Sequence, residues 1–205
     1  MTIEAKLHAL TEALARVEKR AQAAEDYIAI SNLQRTYGYY VDKFQWEQVA
    51  DLFARDAIIE INARGKFKGH ERIREYMRHF GPAQRGVLMN HIQLQPVIHI
   101  DEDGETAQGR WRAMMQVGEL GGVARLGEAI YENRYIKEDG VWKIASLRAY
   151  QTFYVPYEGG WGKEALPLVT HFDDLEPDEY SEPYPVFPDV FVPPYHYTNP
   201  VSGRE

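Results

Sequence analysis

Apolar residues in the first part of the chain recur at helical spacing. From Ile3 to Ala24 they alternate at intervals of three and four, which predicts a helix with a narrow apolar stripe. Such a stripe is typical of a coiled-coil seam or of a helix that docks on its own domain, and both readings stay open. A second helix is predicted over Glu25–Lys43 and a third over Trp46–Ala54. The stripe consists of Leu7, Leu10, Leu14, Val17, Ala21 and Ala24.

From residue 57 onward the pattern changes to strand-like alternation. Ala57–Asn62 predicts a short strand, Gly65 and Gly69 bracket a turn, and His70–Phe80 predicts a helix. Four long strands follow, and Pro96 predicts a bend in the first of them. Together these elements predict an α+β fold in which a cone-shaped, curved antiparallel sheet packs against N-terminal helices. The long strands are predicted over Val87–Ile100, Glu105–Val117, Ala124–Lys137 and Val141–Val155.

The last quarter of the chain has a different composition. Nine of the 11 prolines lie in Gln151–Glu205, yet this segment keeps many aromatic residues, which disordered tails lack. We interpret it as an extended, proline-stiffened arm that lies on its own domain or crosses to a neighbouring subunit. The chain therefore divides into an N-terminal amphipathic helix (1–23), a cone domain (24–155) and an extended arm (156–205).

Composition excludes several classes of function. The net charge of −8 argues against nucleic acid or an anionic membrane surface as the main partner. The absence of cysteine excludes disulfides and thiolate metal sites, and no apolar run reaches the roughly 20 residues of a membrane span. The histidines lack the spacing of a metal site, and no glycine-rich cofactor motif is present. We expect a soluble, cytoplasmic protein that uses neither a metal nor a cofactor.

A histidine and a carboxylate are the first candidates for chemistry. His91 lies in the middle of a predicted strand, on the face of Met89 and Gln93, where a neutral imidazole could transfer a proton near pH 7. The alternative is a core histidine that makes one hydrogen bond. Asp42 ends the second predicted helix and could orient His91, or could cap the helix that begins near Trp46.

Aromatic residues are the remaining candidates. Tyr37 and Tyr40 lie one turn apart on a helix, where a phenol could donate to a developing oxyanion or pack in the core. Tyr131 has small neighbours on its face of the strand, which leaves room for a ligand. Either Trp111 or its neighbours Arg110 and Arg112 face the interior of the cone, and Tyr150, near the end of the last strand, could form part of the pocket wall. We predict substrate contacts for Tyr37, Trp111, Tyr131 and Tyr150, and a catalytic role for Tyr40.

Several segments in order resemble one family. They are ADLFARDAIIEI, GKFKGHERIREYM, LMNHIQLQPVIHIDEDGETAQGRW and YENRYIKEDGVWKIASL, preceded by Tyr40, Asp42 and Trp46. Together, over about Ala24–Tyr154, they resemble the SnoaL-like branch of the nuclear transport factor 2-like fold, which also holds ketosteroid isomerase and scytalone dehydratase. The resemblance implies a cone with a pocket for a small aromatic ligand, and chemistry without a cofactor.

Scytalone dehydratase supplies the nearest catalytic pattern. By this resemblance its helix carboxylate corresponds to Asp42, its strand histidine to His91, and a polar asparagine to Tyr131. Its second histidine has no counterpart in the MMQV segment, and its serine corresponds to Ala129. The same dehydration is therefore not expected, and a related reaction with one acid–base residue stays open.

The leading hypothesis is a cofactor-independent lyase or dehydratase that acts on a hydrophobic aromatic molecule, such as a lignin-derived diaryl compound. His91 would be the general acid or base, Asp42 would orient it, and Tyr40 and Tyr131 would bind hydroxyls or stabilise charge. An isomerase with the same pocket is an alternative, and so is a non-catalytic partner subunit or ligand-binding module. An open pocket around His91 would favour catalysis, and a filled one would favour a structural role. We also expect a homo-oligomer, a dimer or a trimer.

Overall fold

A single long helix forms the N-terminal part of the chain in a computed structural model that describes residues 2–205. Helix α1 runs from Ile3 to Asp42, and the Thr2 side chain caps it by accepting a hydrogen bond from the Ala5 amide at 3.2 Å. The prediction of two helices divided at residue 25 was wrong. No glycine or proline precedes Gly38, so nothing breaks the helix where its apolar face changes.

The change of apolar face marks a change of surroundings. Residues 3–25 of α1 are exposed apart from half-buried Ala13, and the first buried residue is Asp26. Its carboxylate accepts hydrogen bonds from Trp142 Nε1 at 2.8 Å and from Lys137 Nζ at 3.1 Å. From this point Ile30 and later residues of α1 pack on the sheet. The C-terminal half of α1 is therefore packed, and its N-terminal half (residues 3–25) is the free half.

The remaining elements follow the predicted order, with one addition. A three-residue strand, β2, lies where the sequence predicted a turn between Gly65 and Gly69. The third helix ends earlier than predicted, and the first strand begins earlier. The elements are α2 (Trp46–Asp51), β1 (Phe53–Ile61), β2 (Lys66–Lys68), α3 (His70–Arg78), β3 (Val87–Ile100), β4 (Thr106–Glu119), β5 (Ala124–Glu138) and β6 (Val141–Pro156).

The strands form one curved, open sheet in the order β2-β1-β6-β5-β4-β3. Strands β3 to β6 are successive antiparallel hairpins, as predicted. The pairing of β1 with β6 is parallel, so the sheet is mixed rather than wholly antiparallel. The α+β fold class is as predicted, with the N-terminal helices packed on the concave face of the sheet.

Strand β3 bends at Pro96, as the sequence predicted. The register with β4 shifts between Leu94 and Val97, and Gln95 takes a positive φ of 51° just before Pro96. Proline has no amide proton for the ladder, so the pairing must be interrupted at this point.

A buried polar network lies in the core between α1 and the sheet. The Gln34 side-chain oxygen accepts hydrogen bonds from Asn133 at 2.8 Å and from the Tyr135 hydroxyl at 3.0 Å. Trp111 Nε1 donates to the same hydroxyl at 2.9 Å. Because each buried polar group finds a partner, this network fixes α1 at one position on the sheet.

The arm covers the outer face of the sheet. Residues 157–205 form no helix or strand, and the structure places them on their own domain, one of the two arrangements that the sequence left open. The Tyr184 hydroxyl accepts a hydrogen bond from the Gln151 amide at 2.7 Å, and the Tyr184 and Phe191 rings stack at 4.8 Å. Further along, His196 Nδ1 lies 2.8 Å from a Glu132 carboxylate oxygen.

Acid is expected to loosen the arm at Glu179, whose carboxylate pairs with Lys66 and Lys68 on β2. Hydrogen bonds from these two lysines lower the pKa of Glu179 from 4.5 to about 2. A lowered pKa contributes stability above the ordinary value, and this stability is lost as the pH falls towards about 2. The stability difference between wild type and Glu179→Gln should therefore shrink between about pH 5 and pH 2.

Urea denaturation across this pH range measures the difference. Glu182→Gln is the control, because Glu182 is exposed and makes no ion pair within residues 2–205. A difference between wild type and Glu179→Gln that stays constant with pH would show that the lysine pairs do not hold the arm.

Candidate functional site

A cavity of about 560 Å³ opens between the helices and the concave face of the sheet. Its wall combines side chains of α1, of the loop after β1, and of strands β3, β4, β5 and β6. Apolar groups make up most of this wall, and a few polar groups face it. The residues of the wall that bear on ligand binding are Tyr37, Asn62, Arg64, His91, Met115, Tyr131 and Tyr154.

His91 and Asp42 meet at the wall of this cavity. A carboxylate oxygen of Asp42 lies 3.0 Å from His91 Nδ1 and accepts a hydrogen bond from the His91 amide at 2.7 Å. Both side chains are largely buried, with 11% and 13% of their surface exposed. Asp42 does not cap α2, whose N-cap residue Gln45 makes no side-chain capping bond. The predicted contact between Asp42 and His91 is therefore present.

This contact sets the proton positions of the imidazole. With Nδ1–H donating to the carboxylate, the neutral ring carries its lone pair on Nε2. Within residues 2–205 Nε2 has no hydrogen-bond partner, while the ring lines the cavity. The arrangement leaves one basic nitrogen available to a ligand, and a carboxylate behind it that stabilises the imidazolium form.

Gly38 allows helix α1 to approach strand β3 closely enough for this contact. A Cβ at Gly38 would lie 2.8 Å from the His91 carbonyl oxygen and 3.1 Å from the Gln93 side chain. One turn earlier, the Gln34 side chain donates to Gln93 at 3.1 Å. The helix and the strand are thus in direct contact beside the pair, and Asp42 follows Gly38 on the next turn of α1.

Three tyrosines face the cavity as neutral phenols. Burial raises the pKa of Tyr37, Tyr131 and Tyr154 above the ordinary value of 10.0. The rings of Tyr37 and Tyr131 meet edge to face at 6.4 Å, and the Tyr154 hydroxyl lies 3.3 Å from the Met115 sulfur. Because they remain protonated near neutral pH, these phenols can donate hydrogen bonds to a ligand oxygen.

Three predicted site residues do not reach the cavity. Tyr40 is half buried against the core, because Tyr37 and Val41 occupy the cavity face of α1. Trp111 is fully buried and donates a hydrogen bond to the Tyr135 hydroxyl, so it belongs to the packed core and not to the cavity wall. Tyr150 lies on the outer face against Tyr184 of the arm.

A register shift explains the position of Tyr150. Between β5 and β6 the pairing slips where Glu128 pairs with Phe153 and Ala129 with Gln151. This irregularity reverses the alternation, so Tyr154 faces the cavity although it shares sequence parity with Tyr150. Sequence alternation alone could not show the slip.

Two polar residues of the cavity were missed from the sequence. Asn62 was predicted to end the first strand, and Arg64 lies just before the predicted turn, so neither was predicted to face a cavity. Asn62 is 3% exposed and has a positive φ of 58°, which turns the chain towards the cavity. Gly65, directly before β2, gave the only signal of an unusual backbone here.

No group of three or more histidine or acidic side chains lies together as a metal site within residues 2–205. In the same part of the chain, no helix is long and apolar enough to cross a membrane.

Comparison with known proteins identifies the family of this chain. The family model described as a SnoaL-like domain matches residues 22–148. The chain belongs to this SnoaL-like family. No curated protein matches the chain.

Solved structures similar to this SnoaL-like chain share its fold at low identity. Hexachlorocyclohexane dehydrochlorinase LinA-type3 from Novosphingobium barchaimii LL02 is 21% identical, with a TM-score of 0.61, over 68% of this chain and 95% of that one. A protein proposed to be a scytalone dehydratase, from Novosphingobium aromaticivorans DSM 12444, is 17% identical, with a TM-score of 0.58, over 77% and 99%. The D26N form of Rv3472, a protein of unknown function from Mycobacterium tuberculosis, is 24% identical, with a TM-score of 0.56, over 64% and 74%.

The packing of α1 on β3 can be tested at Gly38. We expect Gly38→Val to lower the free energy of unfolding by roughly 1–3 kcal/mol, because its side chain must displace the backbone of His91. Chemical denaturation measures the change. Gly162→Val is the control, since a Cβ at Gly162 meets nothing within 4 Å. Equal stability of the two variants would show that α1 does not need this close approach.

Proposed function

We propose that this protein is a cofactor-independent lyase that acts on a small, hydrophobic aromatic molecule. The single observation that carries the proposal is the His91–Asp42 pair at the wall of an open cavity, with Nε2 free of protein partners. A histidine that only filled the core would have both nitrogens engaged or packed. Here one nitrogen is held by a carboxylate, and the other has no hydrogen-bond partner within residues 2–205, in a residue that lines the cavity.

The reaction that these groups support is an elimination. His91 Nε2 takes a proton from a substrate carbon, and the electrons of that C–H bond form a double bond. The leaving group departs with the electron pair of its own bond, and the imidazolium can return the proton to it. Asp42 stabilises the imidazolium during this step. Tyr37 and Tyr131 donate to oxygen atoms on which negative charge develops.

The size and lining of the cavity support an aromatic substrate. Its volume of about 560 Å³ lies within the range of roughly 300–1,000 Å³ that is usual for small-molecule sites. Aromatic and methionine side chains line it, and these pack well on a planar ring. Such a site could take a lignin-derived diaryl compound, as the resemblance to the family implied.

The names of two fold neighbours support elimination. One is a dehydrochlorinase and the other is proposed to be a dehydratase, and both names denote the removal of a small molecule across a carbon–carbon bond. An isomerase would use the same histidine without loss of a fragment. A purely structural subunit is the least supported reading, because an assembly subunit does not need an open cavity with a free basic nitrogen.

The test is a screen of the purified protein against aromatic alcohols, ketones and diaryl ethers, with EDTA present and no cofactor added. We expect His91→Gln and His91→Ala to lower turnover by about 10²–10⁴, the scale of a lost general acid or base. Asp42→Asn should give a loss of similar scale, because the amide favours the wrong tautomer. His171→Gln is the control, since His171 is exposed on the arm.

Two results would contradict the proposal. One is near wild-type turnover in both His91 variants on a substrate that the wild type consumes. The other is activity that appears only when a metal or an organic cofactor replaces the EDTA.

A further inference from the structure

Arg64 places a positive charge at the cavity without a carboxylate to balance it. Within residues 2–205 no carboxylate oxygen lies within 4.0 Å of its guanidinium. Its Nε is buried and makes no hydrogen bond, and one terminal nitrogen reaches the Tyr76 hydroxyl at 3.4 Å. The guanidinium carbon lies 5.5 Å and 5.3 Å from the ring centres of Phe80 and Phe172. Charges in such surroundings are normally paired.

The charge acts on the groups that line the cavity. Burial raises the pKa of Tyr131 and Tyr154, and the nearby Arg64 guanidinium opposes both rises. The neighbouring Asn62 side chain is 3% exposed, and its oxygen is buried without a partner. That oxygen can only accept a hydrogen bond, so of the two residues the Arg64 guanidinium is the one that can donate to an anionic group of a ligand.

This place lies opposite the His91–Asp42 pair. Asn62 and Arg64 follow β1, His91 lies on β3, and three strands separate β1 from β3 in the sheet. Because the sheet curves around the cavity, the two strands form facing walls. A ligand held at Arg64 would extend its other end towards His91.

We propose that Arg64 forms a subsite for the negatively charged oxygen of the substrate, a carboxylate or a phenolate on the aromatic ring. The substrate is then an acidic aromatic compound, bound by its anion at one wall and deprotonated at the other. A guanidinium donates two parallel hydrogen bonds to a carboxylate, which fixes the direction of the ring. This inference rests on the proposed function in taking the cavity as the substrate site.

Calorimetric titration with benzoate and with neutral benzamide tests the subsite. We expect wild type to bind benzoate more tightly, and Arg64→Met to lose about tenfold or more in benzoate affinity with no change for benzamide. Arg64→Lys should keep part of the preference. Arg134→Met is the control, because Arg134 is exposed and does not line the cavity.

The outcomes separate the subsite from the reaction. His91→Gln should bind benzoate as the wild type does, so a failed activity screen with a retained benzoate preference would reject the lyase and keep the subsite. Equal affinity of the wild type for benzoate and benzamide would overturn the subsite without the need for any variant. Unchanged benzoate binding in Arg64→Met would overturn it as well.

A second observation, independent of the cavity, concerns the free half of α1. Its apolar stripe is exposed along the whole length, with Ile3 86%, Leu7 62%, Leu10 66%, Leu14 56% and Val17 59% exposed. Isolated helices of this kind are marginal in water, and most helical stability comes from packing. The stripe has heptad spacing, so it fits the seam of a coiled coil.

The charged residues beside the stripe indicate which partner helix fits it and in which direction that helix runs. Glu4, Glu18 and Glu25 lie along one flank, and Lys6 and Arg20 lie along the other. In a parallel pair the two unlike flanks meet, and Arg20 of one copy lies beside Glu25 of the next. An antiparallel pair would bring like charges together. The flanks therefore fit a parallel copy of the same helix.

The residues in the seam fit an assembly of copies of the helix. The first position of the heptad holds Leu7, Leu14 and Ala21, and the fourth holds Ile3, Leu10, Val17 and Ala24. Both positions are apolar throughout, which is the pattern of a coiled-coil seam. We infer that residues 3–24 join copies of this chain in a parallel coiled coil.

Light scattering of the purified protein tests this assembly. The wild type should show a multiple of the chain mass of 23.7 kDa, and the double variant Leu10→Glu, Leu14→Glu should show a smaller mass while its circular dichroism spectrum shows that the domain stays folded. Ala9→Glu is the control, because Ala9 lies outside the seam. A monomeric wild type, or a double variant of unchanged mass, would overturn the inference.

A single introduced cysteine tests the direction. The chain has no cysteine, so Ile3→Cys gives one thiol per copy. In a parallel assembly these thiols meet, and oxidation should link chains in pairs. Failure to link under oxidising conditions, with the mass of the assembly unchanged, would overturn the parallel direction.

Discussion

The close contact between helix α1 and strand β3 is the constraint on which the site depends. The helix must lie against the backbone of His91 for its last residue, Asp42, to reach the imidazole. The absence of a side chain at Gly38 permits the approach, and the Gln34 network fixes the helix along its axis. A helix displaced by the width of one methyl group would leave the histidine without its carboxylate, although the fold itself would be unchanged.

The charges of the cavity are arranged by position in the sheet. His91 lies on the edge strand β3 and receives its carboxylate from helix α1, whereas the guanidinium of Arg64 follows β1, next to the opposite edge. Neutral phenols of Tyr37 and Tyr131 lie between them. Curvature of a single sheet thus brings groups together that are distant along the chain, and a low-polarity wall strengthens their fields.

Sequence periodicity gave the elements of this domain because each strand and helix keeps one apolar face. The contact between Asp42 and His91 was also predictable, since both residues lie in segments that resemble the family. The direction of Tyr150 was not, because a register shift in β6 leaves no mark in the alternation. The unbalanced charge of Arg64 was missed for a related reason: only the assembled structure shows that no acidic residue lies beside it. The sequence did not show that α1 is one continuous helix, because its apolar face changes at Asp26, where the helix passes from solvent onto the sheet.

The bend in β3 has a consequence for the behaviour of the protein in concentrated solution. Strand β3 is an edge strand of 14 residues, and a straight edge of that length would expose a row of unpaired amides and carbonyls to other molecules. Pro96 removes one amide, and the left-handed backbone of Gln95 turns the strand at the same place. Neither half of the edge is then long or flat enough to template the addition of a foreign strand. The irregularity therefore acts as a safeguard against fibrous aggregation.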